Sequence, residues 1–314
     1  MFKKGLASVL SAVMLISGCN SGTVSTSVVS EAPVSDVTDY EMYIKDLDYY
    51  MNLYTQNYTS AKDAFGMQNT ESTKNYLYSL INALEGLDGI VYPPELEEAH
   101  SALLYAAGLE KELAEVNLEL TAYANIKGED QDSLEKINAD ANEILTKIED
   151  GGGIRKAWIN AANAAFSYLP NGEYRSYAFT LETLWERYLT EYDTLYNIFF
   201  EGVEGDAVRT CENCLEILSE IENIEAPEQV KPCHDDVIAA LSKEREYCQA
   251  VKTIRELNIE YQGIAFDDLP DDIREQVNGC SEIIDNYFNE ESPDYDAAYN
   301  AVSAAFEFAE ALAQ

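Results

Sequence analysis

Eight positions, Tyr40, Tyr43, Leu47, Tyr50, Tyr54, Tyr58, Ala61 and Phe65, place large or apolar side chains at steps of three and four residues. That spacing returns to one side of a helix every turn and does not suit a strand, whose faces alternate residue by residue. The stripe recurs 134 positions later as Tyr174, Tyr177, Leu181, Leu184, Tyr188, Tyr192, Leu195 and Phe199. Only ten of the 61 pairs from Tyr40 to His100 are identical, yet they fall on helix faces and at helix starts: Leu84 with Leu218, Pro93 with Pro227, His100 with His234. The pattern predicts an all-α chain built as two tandem, sequence-related antiparallel bundles of four to five helices each.

The helices are expected near 38–65, 70–87, 93–125, 133–149 and 154–168, then near 173–200, 204–222, 227–262, 270–290 and 294–312. Gly86, Gly89, Gly128 and Gly151-Gly152-Gly153 interrupt the periodicity, and Pro170-Asn171-Gly172 marks the boundary between the copies. Residues 38–170 and 171–314 are therefore the two expected bundles. Tyrosine outnumbers phenylalanine 22 to 10, but the long tyrosine stripe lies at core spacing. The acidic stretches GEDQDS at 128–133 and FDDLPDD at 266–272 lack the spaced acids, central glycine and closing glutamate of an EF-hand loop. Both precede helices, where Asp and Ser are expected to cap.

The first nineteen residues have a different character. Lys3 and Lys4 form a basic head, Gly5 to Ile16 is an apolar run too short to span a bilayer, and small residues lead to Cys19. This stretch closely resembles a bacterial prolipoprotein signal with its lipobox. The resemblance implies a diacylglyceryl group on the Cys19 thiol and cleavage before it. Residues 1–18 are then a signal peptide, and the small, polar residues 19–37 a flexible tether. The expected location is the extracytoplasmic face of the bacterial cell membrane, with the lipid on Cys19 as the only membrane attachment.

Charge narrows the partners. Asp+Glu 58 against Lys+Arg 20 gives a formal net of −38, and loss of Lys3 and Lys4 makes the mature chain more negative still. Nucleic acid is excluded, because phosphate binding needs basic stripes. Basic protein or peptide surfaces are electrostatically permitted, while most of the acids are expected to be solvated helix faces.

Little else points to chemistry. His100 and His234, the only two histidines, each follow a proline by seven residues, in YPPELEEAH and APEQVKPCH. Pro93 and Pro227 suit a helix start, which puts each imidazole about two turns in, among Leu96, Leu103 and Leu104 or Val230, Val237 and Ile238. A buried imidazole bonded to a tyrosine or carboxylate is the expected result. Glu97-Glu98-Ala99-His100 has the Glu-x-x-His spacing of di-iron carboxylate sites. Lys231 replaces the glutamate in the second copy and removes half of the carboxylates such a site requires.

Lys111 and Arg245 lie eleven residues after the histidines, almost on the same helical angle, with Asp48 and Glu182 as expected partners. Cys211, Cys214, Cys233, Cys248 and Cys280 all fall in the second copy. Cys211, Cys214, Cys233 and His234 make a weak zinc set and Cys214–Cys233 a conceivable disulfide. Four of these cysteines, however, replace Leu77, Leu80, Ala99 and Ala114, and they read chiefly as small apolar core residues. No cofactor is expected. With no Gly-x-Ser-x-Gly, no phosphate loop and no Ser or Cys at credible spacing from a histidine, the chain reads as a non-enzymatic acidic binding or scaffolding surface. The alternative is a ligand-binding module with a small-molecule or metal pocket between the two bundles.

Overall fold

The computed structural model describes residues 36–123, 131–200, 205–288 and 294–314. The signal, Cys19, most of the tether and the first half of GEDQDS lie outside the described residues. Among those described, every regular element is helical. The chain divides into two compact units between Leu169 and Pro170.

The first unit comprises α1 (Val37–Gly66), α2 (Thr70–Leu87), α3 (Glu97–Tyr123), α4 (Gln131–Gly151) and α5 (Gly153–Phe166). The second comprises α6 (Gly172–Phe200), α7 (Ala207–Glu222), α8 (Lys231–Glu260), α9 (Asp271–Tyr287) and α10 (Asp294–Ala313). In the first unit α1, α2, α3 and α5 pack in sequence into a closed ring, and α4 lies against α3. In the second unit α6, α7, α8 and α10 form the same ring and α9 lies against α8. No described helix is long and apolar enough to cross a membrane.

Local sequence explains the boundaries. Asp36, Asn69 and Asp206 cap α1, α2 and α7, their side chains accepting from the backbone N–H groups of Thr38, Ser72 and Arg209. Gly152 and Gly153, at φ 80° and 71°, take the left-handed turn that separates α4 from α5. Gly86 permits another close approach: a Cβ there would collide with the Tyr50 ring.

Two expectations change. The prolines do not open α3 and α8. Pro93 is held extended at ψ 141° because Pro94 follows it, so a single 3₁₀ turn, Pro94–Leu96, precedes α3. Pro227 opens a turn in which its carbonyl accepts from Val230 and Lys231 before α8 begins. His100 and His234 are thus the fourth residues of their helices rather than two turns in. Ahead of α9 the cap position is Pro270, with no side-chain cap. Asp271 and Asp272 act there only as first-turn charges that complement the helix end.

Most of each stripe is buried: Tyr40, Tyr43, Leu47, Tyr54 and Ala61 in α1, and Tyr174, Tyr177, Leu181, Leu184, Tyr188, Tyr192 and Leu195 in α6. Tyr50, Tyr58, Phe65 and Phe199 are half-buried. Each fully buried leucine of this kind contributes about 1.5–3 kcal/mol over leaving it in water.

Candidate functional site

The two imidazoles occupy matching positions in the two units. Tyr43 Oη lies 3.2 Å from His100 Nδ1, and Tyr177 Oη lies 3.1 Å from His234 Nδ1. Both ring pairs meet edge-on with centroids 5.6 Å apart. His100 is 1% exposed and His234 5%, so neither offers a nitrogen to solvent. Tyr92 also stacks on His100 at 4.3 Å, where the second unit has Ala226.

Burial lowers both imidazole pKa values from their ordinary range. Asp88 partly offsets this at His100, and the backbone carbonyl of Glu222, followed by Asp235, does so at His234. Glu222 ends α7, where carbonyls lack intrahelical partners and cations are favoured. Each imidazole is held by its Nδ1 to the first helix of its unit, and its Nε2 is buried without a hydrogen-bond partner among the described residues. Burial also pushes the Tyr43 and Tyr177 hydroxyls well above the usual tyrosine range, which keeps them protonated and able to donate to Nδ1.

Tyr177→Phe is expected to destabilise the protein by about 1–2 kcal/mol, because it leaves Nδ1 buried without a partner. Urea unfolding at pH 7.5 checks this. The histidines add a pH trend of known sign. Their folded pKa values lie below the unfolded one, so their stabilisation is present above the ordinary histidine pKa and is lost as pH falls through the folded values.

A second matched pair escaped the sequence reading: the buried carboxylates Glu110 and Glu244. From Leu96 in the 3₁₀ turn, the packed seam continues along α3 through His100, Leu103, Ala107, Glu110, Ala114, Asn117 and Thr121, every one buried. From Val230 at the cap of α8, the matching seam runs through His234, Val237, Leu241, Glu244, Cys248 and Val251. This is a seven-residue repeat, whose seam drifts relative to an ideal helix. Lys111 and Arg245 consequently fall one step beside it, at the edge. The recoverable signal was a glutamate in both copies, in EKE and ERE, on the three-and-four stepping that passes through each histidine.

In the second unit Tyr188 donates to Glu244 Oε2, and Tyr287 donates to Oε1 at 2.8 Å and to Oε2 at 2.7 Å. Tyr247 stacks on Tyr287 at 4.3 Å and seals the group. In the first unit burial pushes Glu110 up to about 7, against the opposing effects of a hydrogen bond from Tyr54 and the charge of Arg155.

The edge positions explain where the conserved-sign bases go. Lys111 Nζ pairs with Glu85 at 2.6 Å. Arg245 Nη2 pairs with Glu222 at 2.7 Å and also donates to Ser219. Their partners come from the ends of α2 and α7, not from Asp48 and Glu182 on the first helices, because an edge residue faces the neighbouring helix rather than the one across the core.

Cys211, Cys214 and Cys248 are fully buried between α7 and α8, while Cys233 and Cys280 are partly exposed. All five are free. Cys214 forms its side-chain hydrogen bond with Cys248, which together with burial raises its pKa well above the ordinary value. Cys214 therefore faces the seam of α8 rather than Cys233. Among the described residues no group of three or more His, Cys, Asp or Glu side chains converges as a metal site, so Cys211, Cys214, Cys233 and His234 are not brought together.

No protein-family model, curated protein or solved structure matches the chain.

Proposed function

We propose that the protein is a lipid-anchored, extracytoplasmic lipoprotein. Its two helical units, descended from one duplicated unit, present an acidic surface to basic protein or peptide partners and carry out no reaction. One observation supports this reading above the others: both histidines are spent inside the fold on Tyr43 and Tyr177 rather than turned toward an open pocket. The common packing order of the helices and the two matched Tyr–His pairs support the duplication.

The acidic surface follows from the charge balance. It favours a partner through long-range attraction, which accelerates encounter and is screened by salt.

Two linked measurements test the proposal. Cys19→Ala is expected to move the protein from the membrane fraction to the soluble one, since no acyl chains would then hold it. The Cys19→Ala protein should also bind an oligolysine peptide with an affinity that falls about tenfold or more as salt rises from low to several hundred millimolar. A membrane-retained Cys19→Ala protein would sink the anchor. Absent or salt-insensitive peptide binding would sink the acidic surface.

A further inference from the structure

The first unit contains a narrow, partly open pocket of about 20 Å³, lined by Tyr58 and Ala61 from α1, Leu77 and Leu80 from α2, and Glu110 and Asn117, among others, from α3. A space of about 10–15 Å³ already holds one water. Glu110 Oε1 and Asn117 Oδ1 have no protein hydrogen-bond partner, and both residues are 3% exposed. Buried oxygens left this way are costly and uncommon. Both are acceptors, so a guest that satisfies them must donate or carry positive charge.

The second unit places larger or apolar side chains at most of the equivalent positions. Leu195 stands for Ala61, Tyr247 for Leu113, Cys248 for Ala114 and Val251 for Asn117, all of them buried. Glu244 there is satisfied by Tyr188 and Tyr287. In the first unit Ala141, Ile144, Leu145 and Ile148 of α4 pack against Leu109 and Leu113 as an aliphatic cluster. The first unit thus retains a carboxylate, an amide oxygen and room beside them.

We propose that this pocket is a binding site for one small monovalent cation, of the size of ammonium or potassium, held between Glu110 Oε1 and Asn117 Oδ1. The charged and titratable groups that face Glu110 are few. Tyr54 on α1 hydrogen-bonds to it and Arg155 on α5 acts through space. Tyr58 on α1 lines the pocket, while α2 contributes Leu77 and Leu80. Water in the pocket would satisfy the two oxygens but would leave the ionised carboxylate uncompensated at contact distance. A cation supplies both hydrogen bonding or coordination and charge. Binding must compete with the proton on Glu110, so it strengthens as pH rises above about 7.

Thermal unfolding of the intact protein at pH 8 in chloride salts of equal ionic strength tests the site. Ammonium and potassium are expected to raise Tm by about 3 °C or more over choline, which is too large to enter. At pH 5 the difference should vanish. Two variants should fold and lose the response: Glu110→Gln, which keeps the shape but removes the charge, and Ala61→Leu, which fills the pocket with the side chain the second unit carries at Leu195. A Tm that is the same in every salt at pH 8 would mean the pocket holds water alone and would overturn the proposal. A cation effect that survives both variants would overturn it equally.

Discussion

Glu244→Ala is expected to destabilise the protein by roughly 3–5 kcal/mol, more than any other single change considered. The carboxylate accepts from Tyr188 and Tyr287 in the centre of the second unit. Its removal leaves two buried hydroxyls without an acceptor, at about 1–3 kcal/mol each, and a void where the side chain stood. Glu244→Gln keeps the volume and one acceptor oxygen, so its cost should be about half as large or less. Tyr287→Phe should cost about 1–2 kcal/mol, the usual penalty of one lost partner. Urea denaturation of the three variants, followed by far-UV circular dichroism, checks the order.

Glu110→Gln should act in the opposite direction and only at high pH. Burial pushes the Glu110 carboxyl up to about 7 from an ordinary value of 4.5. A raised folded pKa means that the folded state binds the proton more tightly than the unfolded state. The resulting stability is fully present below pH 4.5 and is lost as pH rises through 7. The loss amounts to about 3 kcal/mol at pH 8. In choline chloride, Glu110→Gln is therefore expected to be more stable than the wild type by up to about 3 kcal/mol at pH 8 and nearly equal to it at pH 4.5. Subtracting one profile from the other removes the contrary trend of the histidines, which lose stability as pH falls. Equal profiles across the range would contradict a carboxyl whose burial outweighs Tyr54 and Arg155.

The contrast between these glutamates also shows what the sequence could and could not reveal. Helix positions follow from periodicity and stop residues, and α2 falls at the expected 70–87. Leu47, Tyr54, Leu181 and Tyr188 are buried because a stripe at three-and-four spacing has only one face to bury. The burial of His100 and His234 was legible for the same reason, and the tyrosine lay within the stated range of partners.

The helix starts were less legible. A proline can open a 3₁₀ turn or a simple turn as readily as an α-helix, and Pro94 and Val230 decided between these locally. Glu110 and Glu244 were missed because a charged residue on a helix is ordinarily solvated, and only the seven-residue seam shows them to be inside. Lys111 was placed on the histidine stripe by an ideal helical angle, whereas the packed seam follows the slightly shorter repeat and leaves it at the edge. Which donors reach each carboxylate depends on the neighbouring helices: Tyr287 enters from α9, while aliphatic side chains of α4 pack against Leu109 and Leu113.

The central claim is that the two imidazoles belong to the fold rather than to a working site. It is tested most directly by NMR titration of the carbon-bound imidazole protons of His100 and His234, with and without added zinc. Both histidines are expected to titrate below the ordinary histidine value, Tyr43→Phe and Tyr177→Phe each to perturb only their own histidine, and zinc to shift neither resonance. A histidine that titrates at or above the ordinary value, or that moves on addition of zinc, would contradict it.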